Sequence, residues 1–311
     1  MKKAAVIILN FNGEKDTVSC LQSVAKIDTG GLDVSIIVVD NGSKEGSAQY
    51  VQKHAKDIDF GKIHFELLKT GKNLGFAGGN NVGFKHALEN GNDYITILNN
   101  DTLVDEKFLT ELVRVLDSES KIGIVGPKIY FAKGFEYHRD RYSDKEKGKV
   151  FWYAGGIMDW DNVVGKHRGV DEVDHGQFDK IEETDFVSGC CMMIKKEALE
   201  KVGLFDEKYF LYYEENDLNQ RVRKAGYKII YAPKAVIWHL NARSAGGSGS
   251  VLQDYFIARN RMKFGMTYAS FRTKLALLRE SLRILKSGRQ WQKTGIRDYY
   301  LQKFGKGSFE V

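Results

Sequence analysis

Proline and cysteine are scarce in this chain of 311 residues, which contains two prolines and three cysteines. Three cysteines cannot form a disulfide framework, and two of them are neighbours (Cys190 and Cys191), so a reducing compartment is expected. The low proline content, together with 42% hydrophobic and 12% aromatic residues, excludes a collagen-like or disordered chain. No spacing of cysteines and histidines resembles a zinc site. The composition therefore predicts a globular protein with a sizeable core.

Long apolar runs are also missing. Runs such as Ala4–Leu9 and Ile36–Val39 are short, whereas a transmembrane helix needs ~20 apolar residues. The start of the chain imitates a secretory signal weakly, but its apolar part is too short and Asn10 to Asn12 replace a small-residue cleavage site. These absences predict a cytoplasmic protein whose first apolar run is a buried strand.

Negative charge is scarce at the C-terminal end. Residues 241–311 contain 14 Lys and Arg but 4 Asp and Glu, whereas residues 1–240 contain 33 and 37. A nearly neutral body with a basic tail predicts an anionic partner for the tail. Nucleic acid is not expected, because no nucleic-acid-binding motif accompanies the charge.

The tail itself has helical spacing of leucines over residues 271–286, with basic residues between them. One interpretation is an amphipathic helix that lies on an anionic membrane, at its inner face. The other is a helix that packs on the body with a solvated basic side. The Gly/Ser-rich stretch 244–250 predicts a hinge, which divides the chain into a domain over 1–243 and a basic helical extension over 251–311.

The first half of the sequence alternates apolar runs with amphipathic segments. The runs predict buried β-strands at Ala5–Leu9, Val34–Val39, Ile63–Leu68 and Tyr94–Leu98. Unbroken apolar strands separated by helices are typical of a mostly parallel sheet covered on both faces. Polar clusters follow three of the strands, at Asn10–Gly13, Asp40–Ser43 and Asn99–Asp101. Because ligands bind at the carboxyl ends of such strands, the clusters predict the binding site of an α/β fold.

The second half is less regular. Residues 131–183 are expected to form a loop and irregular strands that close over the site. A strand is predicted at Thr184–Lys195, and helices at Lys196–Val202 and Glu214–Ala225. Two final strands are predicted at Lys228–Tyr231 and Val236–Leu240.

Two acidic residues directly follow predicted strands, and each has two interpretations. Asp101, flanked by Asn99 and Asn100, could hold a hard divalent cation that completes its shell with substrate phosphates, or it could cap the next helix. Asp40 could accept hydrogen bonds from a ribose or a base, or it could form a turn in which Gly42 supplies the backbone angle. Neither residue is decisive alone.

A glycine-rich loop, Asn73–Asn80, precedes another predicted helix. Backbone amides at a helix start suit anions, but the spacing is not Gly-x-Gly-x-x-Gly after the first strand, so a nicotinamide cofactor is not expected. His239 follows an apolar stretch, where a lone histidine is more often a core residue than a ligand.

Three carboxylates begin the helix predicted from Glu214: Glu214 itself, Glu215 and Asp217. The helix dipole favours acidic residues there. The functional interpretation is a general base that takes a proton from an acceptor hydroxyl. Asp217 and Arg221 are four residues apart and are expected to pair, which leaves Glu214 and Glu215 freer.

Seven segments, in this order, resemble the family-two glycosyltransferases with the GT-A fold, a Rossmann-like architecture of nucleotide-diphospho-sugar transferases. The segments are Ile7–Gly13, Val38–Ser43, Asn73–Asn80, Ile97–Thr102, Val187–Cys190, Gly203–Glu207 and Phe210–Leu218. The resemblance runs from Ala5 to about His239 and is nearest in texture to the rhamnosyltransferase-like branch. It implies a GT-A catalytic domain over 1–243 with a mostly parallel central sheet, followed by the helical extension.

The resemblance implies an inverting glycosyltransferase. It would move a sugar from a nucleotide-diphosphate donor, with dTDP-rhamnose indicated by the branch, to a hydroxyl of a glycan or lipid-linked glycan in cell-surface polysaccharide synthesis. The alternative is a non-catalytic nucleotide-sugar-binding protein or membrane-associated scaffold that has lost turnover. The oligomeric state is not indicated.

The resemblance also implies roles for individual residues. Asp40 would hold the nucleobase or ribose, and Asp101 matches the final acidic residue of the Asp-x-Asp metal motif, with Mg²⁺ or Mn²⁺ as the cofactor. His239 matches a histidine that completes the metal shell in some relatives. Glu215 falls where the family's catalytic aspartate sits.

Two departures from the family pattern affect these roles. Asn99 replaces the first acidic residue of the metal motif, so one anionic ligand is missing. Glu215 is one methylene longer than the usual aspartate, so Glu214 and Asp217 remain alternative bases.

The remaining site predictions concern the donor and the acceptor. The donor-binding residues are expected to be Asn10, Asn12, Asp40, Gly42, Asn73, Gly75, Asn80, Asn99, Asn100 and Asp101. The acceptor or sugar pocket is expected to be lined by Ser188, Gly189, Cys190 and Trp238. Trp152, Tyr153 and Trp160 are further aromatic residues that could stack on sugars, although at least half of such residues are expected to be core.

Overall fold

The computed structural model of the protein describes residues 1–240 and 249–310. Most of the predicted hinge at 244–250 falls on residues 244–248, which lie outside the described ranges, as does the predicted domain boundary at 243.

A large mixed β-sheet runs through the body of the protein. Its strands are β1 (Lys3–Asn10), β2 (Asp33–Asp40), β3 (His64–Lys69), β4 (Tyr94–Asn99), β5 (Thr102–Val104), β6 (Ile122–Phe131), β7 (Phe151–Tyr153), β10 (Glu182–Glu183), β11 (Cys191–Lys195) and β12 (Lys228–His239). A separate hairpin consists of β8 (Gly156–Asp159) and β9 (Val164–His167). The helices are α1 (Glu14–Val24), α2 (Ser47–Ala55), α3 (Gly75–Glu89), α4 (Phe108–Leu116), α5 (Lys196–Val202), α6 (Glu214–Lys224), α7 (Val251–Tyr268), α8 (Phe271–Ser287) and α9 (Gln290–Tyr300).

Parallel pairing dominates the sheet. The strands lie in the order β10-β12-β6-β11-β4-β1-β2-β3, with β5 on β12 and β7 on β6. The neighbours β4, β1, β2 and β3 run parallel, as do β12 and β6, whereas β11 is antiparallel to both β4 and β6. The register sets Asn10 beside Asp40 and Leu9 beside Asn99. The polar clusters predicted to form a site therefore meet at one edge of the sheet.

Both faces of the sheet are covered, as the unbroken apolar strands predict. Alternate residues of β1 face opposite cores: Val6 and Ile8 pack on the side of α1 and α4, whereas Ala5 and Ile7 pack on the side of α3. Helix α3 lies close to the sheet because Gly83 has no side chain, and a Cβ there would be 2.5 Å from Ile7 Cγ2.

The C-terminal helices pack against the body. One hydrophobic cluster joins Met158 and Tyr213 of the body to Phe264, Leu277 and Ile296 of α7, α8 and α9. Of the two interpretations of the basic tail, packing on the body therefore holds for one side of these helices. No helix in the described ranges is long and apolar enough to cross a bilayer.

Two predictions from the second half of the sequence are wrong in extent. The strand predicted at Thr184–Lys195 is confined to Cys191–Lys195. The backbone N–H and C=O of Val187 bond instead to the side chain of Asn219, at 3.1 and 3.0 Å. The two strands predicted at Lys228–Tyr231 and Val236–Leu240 form the continuous β12, whose register shifts between Ala232 and Val236. Pro233, which has no N–H to donate to a ladder, lies in that irregular stretch.

Candidate active site

A chain of side-chain hydrogen bonds ties together the ends of β1, β2 and β4. Asn10 is fully buried, and its Nδ2 donates to Asp40 Oδ1 at 2.8 Å. Thr17 Oγ1 donates to Asn10 Oδ1 at 3.0 Å, and Asn100 Nδ2 donates to Thr17 Oγ1 at 3.0 Å. The three polar clusters found in the sequence are thus one connected network. Thr17, which lies in α1, is a member that the sequence did not single out.

The turn after β2 is built from backbone-directed hydrogen bonds. Asn12 has a left-handed φ of 55°, and its Oδ1 accepts from the backbone N–H of Lys44 at 2.7 Å. Gly42 also has a positive φ, of 70°, and a Cβ on it would lie 2.4 Å from the backbone carbon of Lys72. Gly42 is therefore required by both its conformation and its neighbour. These residues lie just beyond the carboxyl ends of β1 and β2.

Asn41, which directly follows β2, binds the glycine-rich loop Asn73–Asn80. Asn41 Nδ2 donates to the carbonyl of Gly75 at 3.0 Å, and Asn41 Oδ1 accepts from the N–H of Leu74 at 3.0 Å. Asn73 Oδ1 accepts from the N–H of Gly75 at 2.8 Å. Asn80, by contrast, lies inside α3 and donates to the carbonyl of Phe76 at 2.9 Å. Asn80 is buried, so its present contacts hold the helix.

Asp101 and His239, the two residues expected to bind a metal ion, lie next to each other. His239 Nε2 lies 3.2 Å from Asp101 Oδ1, and both residues are buried. Neither ring nitrogen of His239 has a hydrogen-bond partner among the described residues. A buried imidazole with unsatisfied nitrogens beside a carboxylate has the donor chemistry that a divalent cation uses.

An aromatic ring and a small cavity lie beside Asp101 and His239. The ring of Trp152 lies 4.6 Å, centre to centre, from the His239 ring. A small cavity of about 30 Å³ is lined by Asp101, Asp16, Phe135 and Leu240. Asp16 was not singled out in the sequence, because an acidic residue in the first turn of a helix is common.

The segment 188–190 lies between the end of β4 and the acidic helix α6. The backbone N–H of Asn99 donates to the carbonyl of Cys190 at 2.8 Å. On the other side, a Cβ built on Gly189 would lie 3.6 Å from Glu215 Cβ and 3.3 Å from the ring of Phe76. Ser188 Oγ accepts from the N–H of Cys190 at 3.2 Å, which shapes the segment. Gly189 thus leaves open the space between the end of β4 and Glu215.

Cys190 has no nucleophilic character in this position. Burial raises the pKa of its thiol well above the usual range, and the charge of Asp101 raises it further. The thiol stays protonated at neutral pH, so Cys190 acts through its backbone and its packing.

Glu214 and Glu215 differ in exposure. Glu214 is buried, and burial followed by the charge of Glu215 raises its pKa well above the usual range. Glu215 is partly exposed, and burial of its carboxyl group raises its pKa as well. Oε2 of each residue has no hydrogen-bond partner among the described residues. Glu215 thus combines partial exposure of the residue with a raised pKa and a buried, unpaired Oε2, and a raised pKa is a property that many general bases share.

Asp217 is occupied by structural partners. It accepts from Arg221 Nε at 2.7 Å and from Tyr268 Oη at 2.8 Å. The pairing with Arg221 expected from the sequence is confirmed. With both oxygens engaged, Asp217 is poorly suited to take a proton from a substrate.

Trp238 lies apart from the segment 188–190. Its Nε1 donates to the carbonyl of Gly148 at 3.0 Å, and its ring lies 6.5 Å from that of Tyr130. Because side chains alternate along a strand, Trp238 and His239 point to opposite faces of β12. Trp152, not Trp238, is the indole that contacts His239.

A sheet of this order, with amide and carboxylate side chains gathered at the ends of its parallel strands, has the GT-A glycosyltransferase fold. The mannosyltransferase PcManGT from Pyrobaculum calidifontis, in complex with GDP-Man and Mn²⁺, superposes with a TM-score of 0.58 at 16% identity, covering 99% of this chain and 77% of that one. GalNAc-T7 with UDP, GalNAc and Mn²⁺ superposes with a TM-score of 0.62 at 14% identity, covering 96% of this chain and 57% of that one. At these identities the likeness shows the fold.

The sequence model of glycosyl transferase family 2 matches residues 5–203, and the chain belongs to that family. It is 26% identical over 226 residues to the low-salt glycan biosynthesis hexosyltransferase Agl10 of Haloferax volcanii, covering 72% of this chain but 63% of that protein, which is less than two thirds of its length. It is also 26% identical over 226 residues to the N-acetylglucosaminyl-diphospho-decaprenol L-rhamnosyltransferase of Mycobacterium tuberculosis, covering 68% of each. The family resemblance found in the sequence is confirmed, and one of these relatives is named a rhamnosyltransferase.

Proposed function

We propose that the protein transfers a sugar from a nucleotide-diphosphate donor to an acceptor hydroxyl, with inversion at the anomeric carbon and with Glu215 as the general base. The observation that carries the proposal is the position of Glu215. Its unpaired carboxyl oxygen lies at the start of α6, and its Cβ is next to Gly189 in the segment that binds the end of β4. A base is thus held beside the strand end where a donor diphosphate would lie.

The donor would be recognised at the ends of β1 and β2. Asp40 would accept hydrogen bonds from the ribose or nucleobase, since one of its oxygens is fixed by Asn10 and the other accepts from the N–H of Ser43 at 3.3 Å. The turn with Asn12 and Gly42, and the loop with Asn73 and Gly75, would form the walls. Asn99 and Asn100 would flank the diphosphate at the end of β4. Asn80 stays a prediction for which its helix-internal hydrogen bond gives no support.

A divalent cation, Mg²⁺ or Mn²⁺, would be held by Asp101 and His239. No cluster of three or more His, Cys, Asp or Glu side chains that could hold a metal is found in the described ranges. These two residues would therefore bind the ion together with donor phosphates and water, which is usual for Mg²⁺. When bound, such a cation offsets the negative charge that develops on the leaving diphosphate. The unsatisfied nitrogens of His239 support this assignment.

The chain's own residues would carry the proton. Glu215 would accept the proton of the acceptor hydroxyl as that oxygen forms a bond to the anomeric carbon. The bond from this carbon to the diphosphate oxygen breaks in the same step, and the nucleoside diphosphate leaves with the electron pair. Ser188, Gly189 and Cys190 would line the acceptor side, opposite the leaving group. A single displacement of this kind needs one base and no covalent intermediate.

The substrates follow from the relatives rather than from the site. We propose a deoxyhexose or hexose donor, with dTDP-rhamnose the first to test, and a polyprenyl-diphosphate-linked sugar or growing glycan as the acceptor. The relative from M. tuberculosis is named for such a lipid-linked acceptor. The non-catalytic alternative is not favoured, because the chain matches a glycosyltransferase family and the relatives above are named as transferases.

We also propose that the protein contacts an anionic membrane surface through α8. Thr273, Leu277 and Ser281 are buried against the body, yet the opposite side of the helix exposes an apolar stripe of Phe271, Leu275 and Leu282. Four basic residues lie beside this stripe at helical spacing: Arg272, Arg279, Arg283 and Lys286. The acidic residue of α8, Glu280, is paired with Arg261. An exposed apolar stripe with a basic margin is typical of helices that lie on anionic lipid.

The function is tested by nucleotide release from a panel of nucleotide sugars, with and without Mn²⁺ and with a polyprenyl-diphosphate-linked sugar as acceptor. Turnover of one donor that depends on the cation and is lost in Glu215→Gln supports the proposal. Tight donor binding without any release would support the non-catalytic alternative instead.

A further inference from the structure

The backbone that enters the acidic helix α6 has an uncommon conformation. Phe210, Tyr212 and Tyr213 have φ values of 65°, 66° and 74°. Aromatic residues rarely adopt the left-handed region, because the Cβ approaches the following carbonyl oxygen, so each such residue costs free energy. Strain of this kind persists only where the surroundings enforce the conformation.

Asn260 of α7 enforces it directly. Its Nδ2 donates to the carbonyls of Tyr209, Leu211 and Tyr212, at 2.9, 2.8 and 2.9 Å. Asn260 is fully buried, so no water competes for these carbonyl groups. The amide group of Asn260 thus bonds to three carbonyls within residues 209–212, which lie just before the start of α6.

Arg259 fixes Asn260 and the same segment from the other side. Its Nε donates to Asn260 Oδ1 at 3.0 Å, which orients the amide so that its N–H groups face the segment. Its Nη2 donates to the carbonyl of Tyr209 at 2.9 Å, and its Nη1 donates to the carbonyl of Gly305 at 2.7 Å. Arg259 is also fully buried. The side chains of Arg259 and Asn260 therefore connect Gly305, near the C-terminus, to residues 209–212, which precede α6.

Residues 209–213 also contact the glycine-rich loop Asn73–Asn80. The carbonyl of Phe210 accepts from the N–H of Ala77 in the first turn of α3 at 3.2 Å, and it would lie 2.4 Å from a Cβ on Gly75. On its other side, Tyr213 begins α6 and donates through its hydroxyl to the carbonyl of Val163 at 2.8 Å. Residues 209–213 therefore lie between the glycine-rich loop Asn73–Asn80 and Glu215, the proposed base.

We propose that Asn260, oriented by Arg259, is a positioning residue that sets the 209–213 backbone and thereby the place of the Glu215 carboxylate in the cleft. This inference rests on the proposed function, since it assigns to the C-terminal helices a task in the transfer that Glu215 performs. The extension is then part of the catalytic apparatus as well as a surface for the membrane.

The test compares Asn260→Asp with Asp254→Asn in the full-length chain. Asn260→Asp keeps the shape of the side chain but replaces its N–H donors with an oxygen that faces three carbonyls. Asp254 is a buried residue of the same helix that pairs with Arg289 of the N-terminal cap of α9 and has no recorded hydrogen bond to residues 209–213. Both variants lose a buried polar contact of α7, so the control reports general destabilisation.

The expected result is a fall of kcat by about 10- to 100-fold in Asn260→Asp, with a smaller change in the donor KM. The acidic limb of the pH profile of this variant should move to lower pH. If residues 209–213 are held less firmly, water reaches Glu215 and the pKa of its carboxyl group, which burial raises, falls. Asp254→Asn should keep kcat within about twofold, and its acidic limb should not move. If Asn260→Asp lowers kcat no more than Asp254→Asn, or leaves the pH profile unchanged, the positioning role is wrong.

Hydrogen exchange separates this inference from the proposed function. The amides of residues 210–217 should exchange faster in Asn260→Asp and not in Asp254→Asn, whether or not a donor has been found. Equal exchange in the two variants overturns the positioning role even if the wild-type protein is an active transferase. Faster exchange in Asn260→Asp, with no turnover of any donor by the wild type, would support the positioning of the segment and contradict the proposed reaction.

Discussion

Two neighbouring glutamates at the start of α6 differ in exposure, and we propose that their tasks differ as well. Glu214 is buried, whereas Glu215 is partly exposed and its Cβ lies beside Gly189. Burial raises the pKa of both carboxyl groups. A proton held on Glu214 leaves Glu215 as the carboxylate of the pair, which is the arrangement that a base needs at neutral pH.

Replacing either glutamate by glutamine should therefore have different effects on transfer. Glu215→Gln should lower kcat by about 10²- to 10⁴-fold, the usual contribution of a general base. Glu214→Gln should keep most of the activity, because glutamine resembles the protonated acid. The measurement is the rate of nucleoside diphosphate release at saturating donor, and equal losses in the two variants would mean that the pair acts jointly.

The pH dependence of stability should report on Glu214. Its pKa is raised in the folded protein, so as pH rises above about 4.5 the unfolded chain loses this proton first. The contribution of this residue to stability is therefore lost progressively as pH rises from about 4.5 towards its raised pKa, and it stays lost at higher pH. Glu214→Gln should raise the melting temperature at pH 7 and change it little at pH 4. A melting temperature that falls at pH 7 would show that the charged form of Glu214 is stabilised by a partner.

At the level of elements, Asp217 of α6 stabilises the contact between α6 and α7, because it accepts a hydrogen bond from Tyr268 of α7. Asp217→Asn should lower the free energy of unfolding by about 2 kcal/mol, because two hydrogen bonds to a charged group are weakened. Tyr268→Phe, which removes one of the two, should cost less. Transfer by the folded fraction should persist in both variants. Complete loss of turnover in a folded Asp217→Asn protein would make Asp217, rather than Glu215, the base.

The start of α3 depends on a glycine in contact with the 209–213 segment. Gly75 has a φ of 74°, and a Cβ there would lie 2.4 Å from the carbonyl oxygen of Phe210. Gly31 has a similar φ of 78° but nothing within 4 Å. Gly31→Ala should cost about 1–2 kcal/mol, the penalty of the left-handed conformation alone, whereas Gly75→Ala should cost more and weaken donor binding. Equal losses in urea denaturation would contradict the close approach seen at Gly75.

Elements that the sequence predicts well are those whose signal is local. The strand ends at Asn10, Asp40 and Asn99 follow apolar runs, so both the sheet and its polar edge could be predicted. The pairing of Asp217 with Arg221 is set by helical spacing alone. The strand predicted from Thr184 fails at Val187, whose backbone N–H and C=O bond to the side chain of Asn219, a contact that no local pattern predicts.

At the level of the whole molecule, the contacts that the sequence does not reveal are those between distant segments. Asn260 and Arg259 lie in the part of the sequence predicted as a basic helical extension, yet both are buried and bond to the residues that precede α6. The contact between Asp101 and His239 is similar, since these residues meet where β5 pairs with β12. The charge of the tail predicted an anionic partner, and the sequence left open whether the tail is also structural.

The proposed membrane contact can be tested without disturbing the α7 side of the extension. Leu282→Glu combined with Phe271→Glu should reduce co-sedimentation with anionic phosphatidylglycerol vesicles by roughly tenfold, because these side chains are 64% and 77% exposed and face away from the body. Ile181→Glu, at a residue 49% exposed on the body, should leave binding unchanged. Binding by the wild type should also weaken with added salt. Equal binding by the double variant and the wild type would remove the membrane proposal.

The most direct test of the account follows nucleoside diphosphate release from dTDP-rhamnose and other nucleotide sugars in wild type, Glu215→Gln and Glu214→Gln, each with Mn²⁺ and with a chelator. We predict that one donor is turned over by the wild type only in the presence of the cation. Glu215→Gln should still bind that donor but release product at least about 100-fold more slowly, and Glu214→Gln should stay near the wild-type rate. Turnover by Glu215→Gln at the wild-type rate would contradict the assignment on which the account depends.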